Sequence, residues 1–296
     1  MLKQVGIEVV SNGTPLGHEI RGVDLSQPLT DAAFAPIEKA FDDIGVVLFR
    51  NQKLTPEQHI AFSRRFGKLE IYPIANYLLP GHPEIFVVSN IVENGKPIGM
   101  GDAGRVWHTD MHFTPNPARC SLLYALEVPH RNGEPLGDTC FASSSAAYDA
   151  LSPAMKQKID GRLARNSYNH YVQRRQAKTG GGAQTAQGER SKESSKHPDV
   201  WHPLVRVHPK SGRKCLYVSD EVTCGIEGMA DDDAQKLLKD LLDHMTQPRF
   251  VYRHKWKVGD LVIWDNCSAI HLAIGDFNAD ERRRMHRTTV EGGPTR

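Results

Sequence analysis

The chain reads as an α+β protein, a two-sheet jelly roll (double-stranded β-helix) with helices packed on the outside. Many short apolar runs with strand character are spread from end to end. Only a few helical periodicities interrupt them, and no stretch repeats. At 296 residues, with 39% hydrophobic and 24% charged residues, it is long enough for a sizeable core but short for two ordinary domains. We therefore expect one domain over residues 1–296.

The opening segment, through Ile20-Arg21-Gly22-Val23-Asp24-Leu25, reads as short strands with Gly turns. A helix is expected from Thr30 or Asp31, since Phe34, Ile37, Ala40 and Phe41 share one face. Val46-Val47-Leu48-Phe49 follows as a buried strand. Thr55-Pro56-Glu57-Gln58 is a helix start, with Thr55 as cap, Pro56 at the first helical position and Gln58 reaching back. Phe66-Gly67 is its expected end. Strands are expected at Ile85–Ser89, Cys120–Leu126 and Cys140–Ala142, and helices near Ser144–Leu151 and from Ser152-Pro153 to about Arg162. Periodicity then disappears from about Gln173 to Asp199, around Gly180-Gly181-Gly182. Such a segment is read either as a mobile flap over a site or as a plain flexible insertion. Strands resume at Leu204–Val207 and Cys215–Val218. Asp231–Met245 is the clearest helix, with Ala234, Leu237, Leu238, Leu241, Leu242 and Met245 in one stripe behind three N-terminal aspartates. Phe250–Tyr252, Leu261–Trp264 and Arg287–Val290 complete the strands.

Composition excludes several classes of function. A net charge of +2 with no long block of like charge gives no nucleic-acid or membrane signal. The N-terminal residues lack a signal-peptide run, and no apolar stretch is long enough to span a bilayer. The five cysteines, Cys120, Cys140, Cys215, Cys224 and Cys267, are scattered without a Cys-x-x-Cys pair. They read as reduced thiols in a cytoplasmic protein.

The chemistry-bearing stretch is Val106-Trp107-His108-Thr109-Asp110-Met111-His112-Phe113. On an extended backbone His108 and Asp110 leave the same face, where an imidazole and a carboxylate can take two corners of a metal. The pattern alone is weak. With 14 His and 35 Asp+Glu, chance supplies a His-x-carboxylate about once or twice. The chain has three, at His82-Pro83-Glu84, His108-Thr109-Asp110 and His197-Pro198-Asp199. Central prolines make the first and last solvated turns. For the middle pair, a hydrogen-bonded His–Asp at a strand end and a metal site remain level until a third ligand is found.

That ligand is suggested near the C-terminus by Trp264-Asp265-Asn266-Cys267-Ser268-Ala269-Ile270-His271 and Arg282-Arg283-Arg284-Met285-His286-Arg287. Together with Trp107-His108-Thr109-Asp110, Gly137-Asp138-Thr139 and Val258-Gly259-Asp260-Leu261, these pieces stand in order over nearly the whole chain. The sequence resembles the taurine dioxygenase and 2,4-dichlorophenoxyacetate dioxygenase family of Fe(II)- and 2-oxoglutarate-dependent oxygenases. The resemblance implies His108, Asp110 and His271 as iron ligands, and Thr139 and Arg283 as partners of the 2-oxoglutarate carboxylates. It further implies Arg287 as the partner of an acidic group on the prime substrate. Planar guanidinium suits both carboxylate tasks. Arg283 and Arg287, four apart, share a strand face, and Arg282 and Arg284 are read as a solvated basic edge. His286 is not proposed as a ligand, and His112 is expected beside the site rather than on the metal.

The implied reaction consumes oxygen and 2-oxoglutarate, releases succinate and carbon dioxide, and hydroxylates a small anionic organic acid. Where the hydroxylated carbon carries an aryloxy or sulfonate group, the product fragments. The protein is expected as a homo-oligomer. Tyr72, Ala75, Val222 and Gly104 stand where taurine enzymes carry a His, a Tyr, a Phe and an Asn. That argues against taurine and for a roomier pocket taking an organic acid, aromatic or aryloxy among the candidates. Two rival readings remain. A His/His/Asp zinc hydrolase would leave Thr139 and Arg283 without a purpose, and a non-catalytic binding module of this fold would be marked by a lost ligand.

Overall fold

The computed structural model describes residues 6–72, 75–179, 196–220 and 222–295. It is a mixed α+β fold with a jelly-roll core, built around an eight-stranded sheet and a smaller three-stranded one. The order of the large sheet is Glu8–Val10, His18–Arg21, Val46–Phe49, Leu261–Asp265, Cys120–Glu127, Arg284–Val290, His82–Ser89, Leu78–Leu79. The small sheet places Thr139–Ser143 between Val251–His254 and Ala269–Ala273.

Alternation along these strands sorts side chains into three apolar layers. Val47, Phe49, Leu122, Tyr124, Leu261 and Ile263 face outward from the large sheet against two helices, Asp31–Ile44 and Pro56–Ser63. Val46, Leu48, Leu123, Val262 and Trp264 face inward and meet Phe141 and Ala269 of the small sheet. Ala142 and Ile270, on that sheet's other face, pack with Ser144–Asp149 and Asp231–Met245. The inward layer holds the site, because odd-numbered residues of Ala269–Ala273 and Thr139–Ser143 point the same way as Ala269 and Phe141.

Helix starts form where local chemistry supplies caps. Thr30 Oγ1 accepts from Ala33 N at 3.2 Å, and Thr55 and Gln58 make the reciprocal capping box. The second helix ends at Ser63, three residues before the expected Phe66-Gly67 stop. Residues 64–67 continue as turns. His82-Pro83-Glu84, expected as a turn, opens the His82–Ser89 strand instead; proline is tolerated at a strand's first residues. Gln173, expected to begin an irregular stretch, lies inside a helix, Tyr168–Thr179. Residues 180–195 of the expected flap lie outside the described residues, and 196–199 lead into the strand Val200–Pro203. Unanticipated from sequence was a three-stranded sheet of Val200–Pro203, Leu163–Asn166 and Thr223–Ile226. All five cysteines are buried and free, and among the described residues no helix is long and apolar enough to cross a membrane.

Edge-to-face rings lock the outer helices to the sheet. Phe62 lies 6.3 Å from Phe34, 5.7 Å from Phe49 and 5.6 Å from Phe66. Phe62→Ala is expected to cost about 3–5 kcal/mol in equilibrium urea unfolding. A loss below about 1 kcal/mol would mean that this layer repacks freely.

Candidate metal centre

His108 has one direct tie to a regular element. Its backbone N–H donates to His271 O at 3.0 Å, and His271 N–H donates to His108 O at 2.8 Å. This isolated antiparallel bridge fastens the loop to the inner edge of the small sheet, with the two imidazoles 4.1 Å apart between ring centres. Met111 follows in the left-handed region (φ 59°) and turns the chain away immediately after Asp110. One side-chain ligand atom from each of His108, Asp110 and His271 lies within 4.8 Å of the others, and His108 Nε2 stands 3.9 Å from Asp110 Oδ1.

The surroundings prepare these groups to ligate. His108 Nδ1 sits 2.8 Å from Val106 O and 3.1 Å from His271 O. Two carbonyls can only accept, so Nδ1 carries the proton and Nε2 presents its lone pair. His271 is buried between Trp264 and Phe141, and its Nδ1 has no hydrogen-bond partner among the described residues. Burial, with the neighbouring His108, holds its pKa well below the usual imidazole range, which keeps the ring neutral as a metal requires. Burial works against the charged form of Asp110. The guanidinium of Arg287, the two imidazoles and a hydrogen bond from Ser121 outweigh it and hold the carboxyl well below the carboxylate range. Two imidazole nitrogens and one carboxylate oxygen, with other faces open, are the donor set of a facial Fe(II) site.

Neighbours hidden from a sequence reading aim the carboxylate. Ser121 Oγ donates to Asp110 Oδ2 at 2.6 Å, and Asn266 Oδ1 accepts from Asp110 N at 3.1 Å. Asn266 sits in the turn joining Leu261–Asp265 to Ala269–Ala273. Asp265 shapes that turn by accepting from Cys267 N at 2.6 Å and Ser268 N at 2.8 Å. His208 Nε2 lies 2.9 Å from Asp265; burial opposes its charging, but the carboxylate prevails and raises its pKa. His112 is buried beside the site, its Nδ1 2.7 Å from Ser219 Oγ, and it is not part of the ligand cluster.

Two cationic regions flank the triad. Arg287, expected at the substrate, donates from Nη1 to Asp110 Oδ1 at 3.1 Å and faces the rings of Phe86 and Tyr72 at 5.1 and 5.8 Å. It lines a cavity with His108, Asp110, Phe86, Phe113, Tyr168 and Tyr171. Tyr72, Gly104 and Val222 line the same cavity; Ala75 does not. A Cβ at Gly104 would stand 3.2 Å from His108 Cε1, so the glycine also lets backbone press on the ligand ring. Arg283 points inward on the other side. It is 5% exposed, and among the described residues no carboxylate pairs with it. Burial lowers its pKa to about 10, with Arg105 adding to the effect. Thr139 Oγ1 accepts from Trp256 Nε1 at 3.0 Å, which leaves its own O–H to donate. A buried guanidinium with no carboxylate partner among the described residues fits a carboxylate ligand. Arg282 is exposed and bound to Glu127, as expected. Arg284 is half-buried, and His286 is buried on the outer face of the strand.

Residues 10–289 match the family described as taurine catabolism dioxygenase TauD, TfdA family. The chain is 34% identical over 285 residues to pentalenolactone F synthase of Streptomyces arenae (93% of this chain, 92% of the relative). It is 35% identical over 282 residues to the alpha-ketoglutarate-dependent 2,4-dichlorophenoxyacetate dioxygenase of Cupriavidus pinatubonensis (92% and 93%). Among solved structures it resembles AAD-2 in complex with Mn(II) and N-oxalylglycine, with a TM-score of 0.80 at 32% identity, covering 98% of this chain and 99% of that one.

Ser121→Ala removes the bond that aims Asp110 Oδ2 without touching a ligand. Metal retention, followed by competition with a chromogenic chelator, is expected to fall about ten-fold or more. Unchanged retention would reduce Ser121 to packing.

Proposed function

The chain belongs to the TauD/TfdA family of Fe(II)- and 2-oxoglutarate-dependent dioxygenases, and from that premise we propose that it hydroxylates a small organic acid with an aromatic or aryloxy body. In this reading His108, Asp110 and His271 hold the iron, Thr139 and Arg283 hold the carboxylates of 2-oxoglutarate, and Arg287 receives the acidic group of the prime substrate. Bound there, Fe(II) and 2-oxoglutarate supply the oxidising chemistry, with succinate and carbon dioxide as co-products. The chain supplies position and exclusion of water.

The observation that carries the substrate reading is the cavity on the Arg287 side of the triad. One guanidinium stands at its head, and its walls are mostly apolar and aromatic. Phe113 stacks near Tyr168 at 4.4 Å, and Tyr171 continues that wall at 5.7 Å from Tyr168. A flat apolar body gains from such walls, whereas taurine has no apolar bulk to fill them. Two carboxylates, Glu70 and Glu84, also line the cavity. Glu84 is bound by Arg64 at 2.6 Å, while burial raises the pKa of Glu70. Their presence disfavours a second acidic group, so the substrate carries one, at the Arg287 end. Relatives named for 2,4-dichlorophenoxyacetate and pentalenolactone support an acid with a bulky ring body.

Arg287 also touches Asp110, so the arriving acid must share or displace that contact. Ion pairing at the substrate then bears directly on the metal ligand. Succinate formation from 2-oxoglutarate should be stimulated by aryloxy and arylalkyl carboxylates more than by taurine. Arg287→Gln should raise KM for the stimulating acid by about ten- to a hundred-fold, and Arg283→Gln should do so for 2-oxoglutarate instead. Stimulation by taurine alone would overturn the substrate class, and equal effects of both variants on 2-oxoglutarate would overturn the division of labour.

A further inference from the structure

Arg105, three residues before the first metal-ligand candidate, was not singled out in the sequence. Its Nη2 donates to Gly101 O at 3.2 Å, while its Nη1 is buried without a hydrogen-bond partner among the described residues. Its guanidinium carbon lies 5.1 Å from the centre of the Phe277 ring, and that of Arg283 lies 6.0 Å from the same centre. The Nε of Arg283 is likewise buried and unpartnered. Glycines clear the way for both. A Cβ on Gly275 would stand 2.2 Å from Arg105 Nη1, and one on Gly137 would stand 3.2 Å from Arg283 Nε.

The nearby acids Asp102 and Asp276 attract Arg105 at a distance but are themselves bound elsewhere. Asp102 is bound by Arg175 at 2.5 Å, and Asp276 Oδ1 accepts from Gly137 N at 2.8 Å. Neither forms an ion pair with Arg105 or Arg283. A buried guanidinium, Arg283, and a half-buried one, Arg105, thus meet around one phenylalanine, each with a buried N–H that has no hydrogen-bond partner among the described residues. Like charges buried together are costly unless an anion answers both.

We propose that Arg105 is a second guanidinium for the distal carboxylate of 2-oxoglutarate, acting with Arg283; this rests on the reading that Arg283 binds that carboxylate. Arg105 thereby selects dicarboxylic over monocarboxylic 2-oxo acids. It also ties co-substrate occupancy to the Gly101–Val106 loop that leads into His108. The Tyr168–Thr179 helix is anchored to the same loop through Arg175 and Asp102.

The test is anaerobic calorimetry on the Mn(II)-loaded protein with two probes. N-oxalylglycine carries the distal carboxylate, and oxalate can chelate the metal but lacks it. Arg105→Gln is expected to weaken N-oxalylglycine by roughly ten-fold or more while leaving oxalate unchanged, and Arg105→Lys to recover part of the loss. Unchanged N-oxalylglycine binding in Arg105→Gln would overturn the proposal. So would an equal loss for both probes, which would make Arg105 a structural support. Arg283→Gln separates the two readings. If it too leaves N-oxalylglycine unaffected, the co-substrate assignment itself has failed; if it alone weakens the probe, only the role of Arg105 falls. Should Arg105→Gln not fold, Gly275→Ala presses on the same guanidinium with its charge kept, and is expected to weaken N-oxalylglycine selectively.

Discussion

Two backbone hydrogen bonds between His108 and His271 hold the site together. They join a loop to a five-residue strand across 163 positions of sequence, and no side-chain chemistry is needed to make them. Because they are reciprocal, they set both the spacing and the relative tilt of the two imidazoles. Everything else about the metal centre follows from that constraint. Asp110 leaves the same face as His108, the left-handed Met111 ends the approach, Ser121 of the large sheet donates to the carboxylate, and Asn266 in the following turn accepts from the Asp110 backbone N–H. The bridge thus brings the loop to the edge of the small sheet, while those two contacts tie it to the large sheet.

Charge is distributed around the bridge with a clear asymmetry. The inner layer buries guanidinium groups on both sides of a single carboxylate ligand. Arg287 is paired with Asp110, and Arg283 has no carboxylate partner among the described residues. A protein tolerates an unpaired buried guanidinium when a bound anion supplies the missing partner, since the cost of leaving it alone is several kcal/mol by general estimates of about that size. The zinc-hydrolase and binding-module readings assign no anion to Arg283. A co-substrate with two carboxylates does, and membership of the family supplies it.

Much of this was legible in the residues because the signals were local. The starts at Asp31 and Pro56 are written in their capping residues, and Asp231–Met245 in its apolar spacing behind three aspartates. Odd–even alternation placed Arg283 and Arg287 together and Arg282 apart from them. What escaped depends on distant partners. The Ala269–Ala273 strand is short, with alanine at both ends, and it becomes a strand only by pairing with Thr139–Ser143. Arg105 looks like a solvated arginine in a glycine-rich loop until Gly275 and Phe277 arrive beside it. His286, set aside as a ligand, is buried on the outer face of its strand, and burial with Arg284 lowers its pKa to about 4. The Asp110–Arg287 pair spans 177 positions and left no local trace.

The central claim is that His108, Asp110 and His271 together hold Fe(II) in a form that accepts 2-oxoglutarate. Anaerobic addition of Fe(II) and then 2-oxoglutarate, followed by visible absorption, tests it directly. The account predicts a weak charge-transfer band in the wild-type protein and none in His271→Ala, whose circular dichroism should remain that of the folded chain. A band that persists in folded His271→Ala, or that never forms in the wild type, would contradict it.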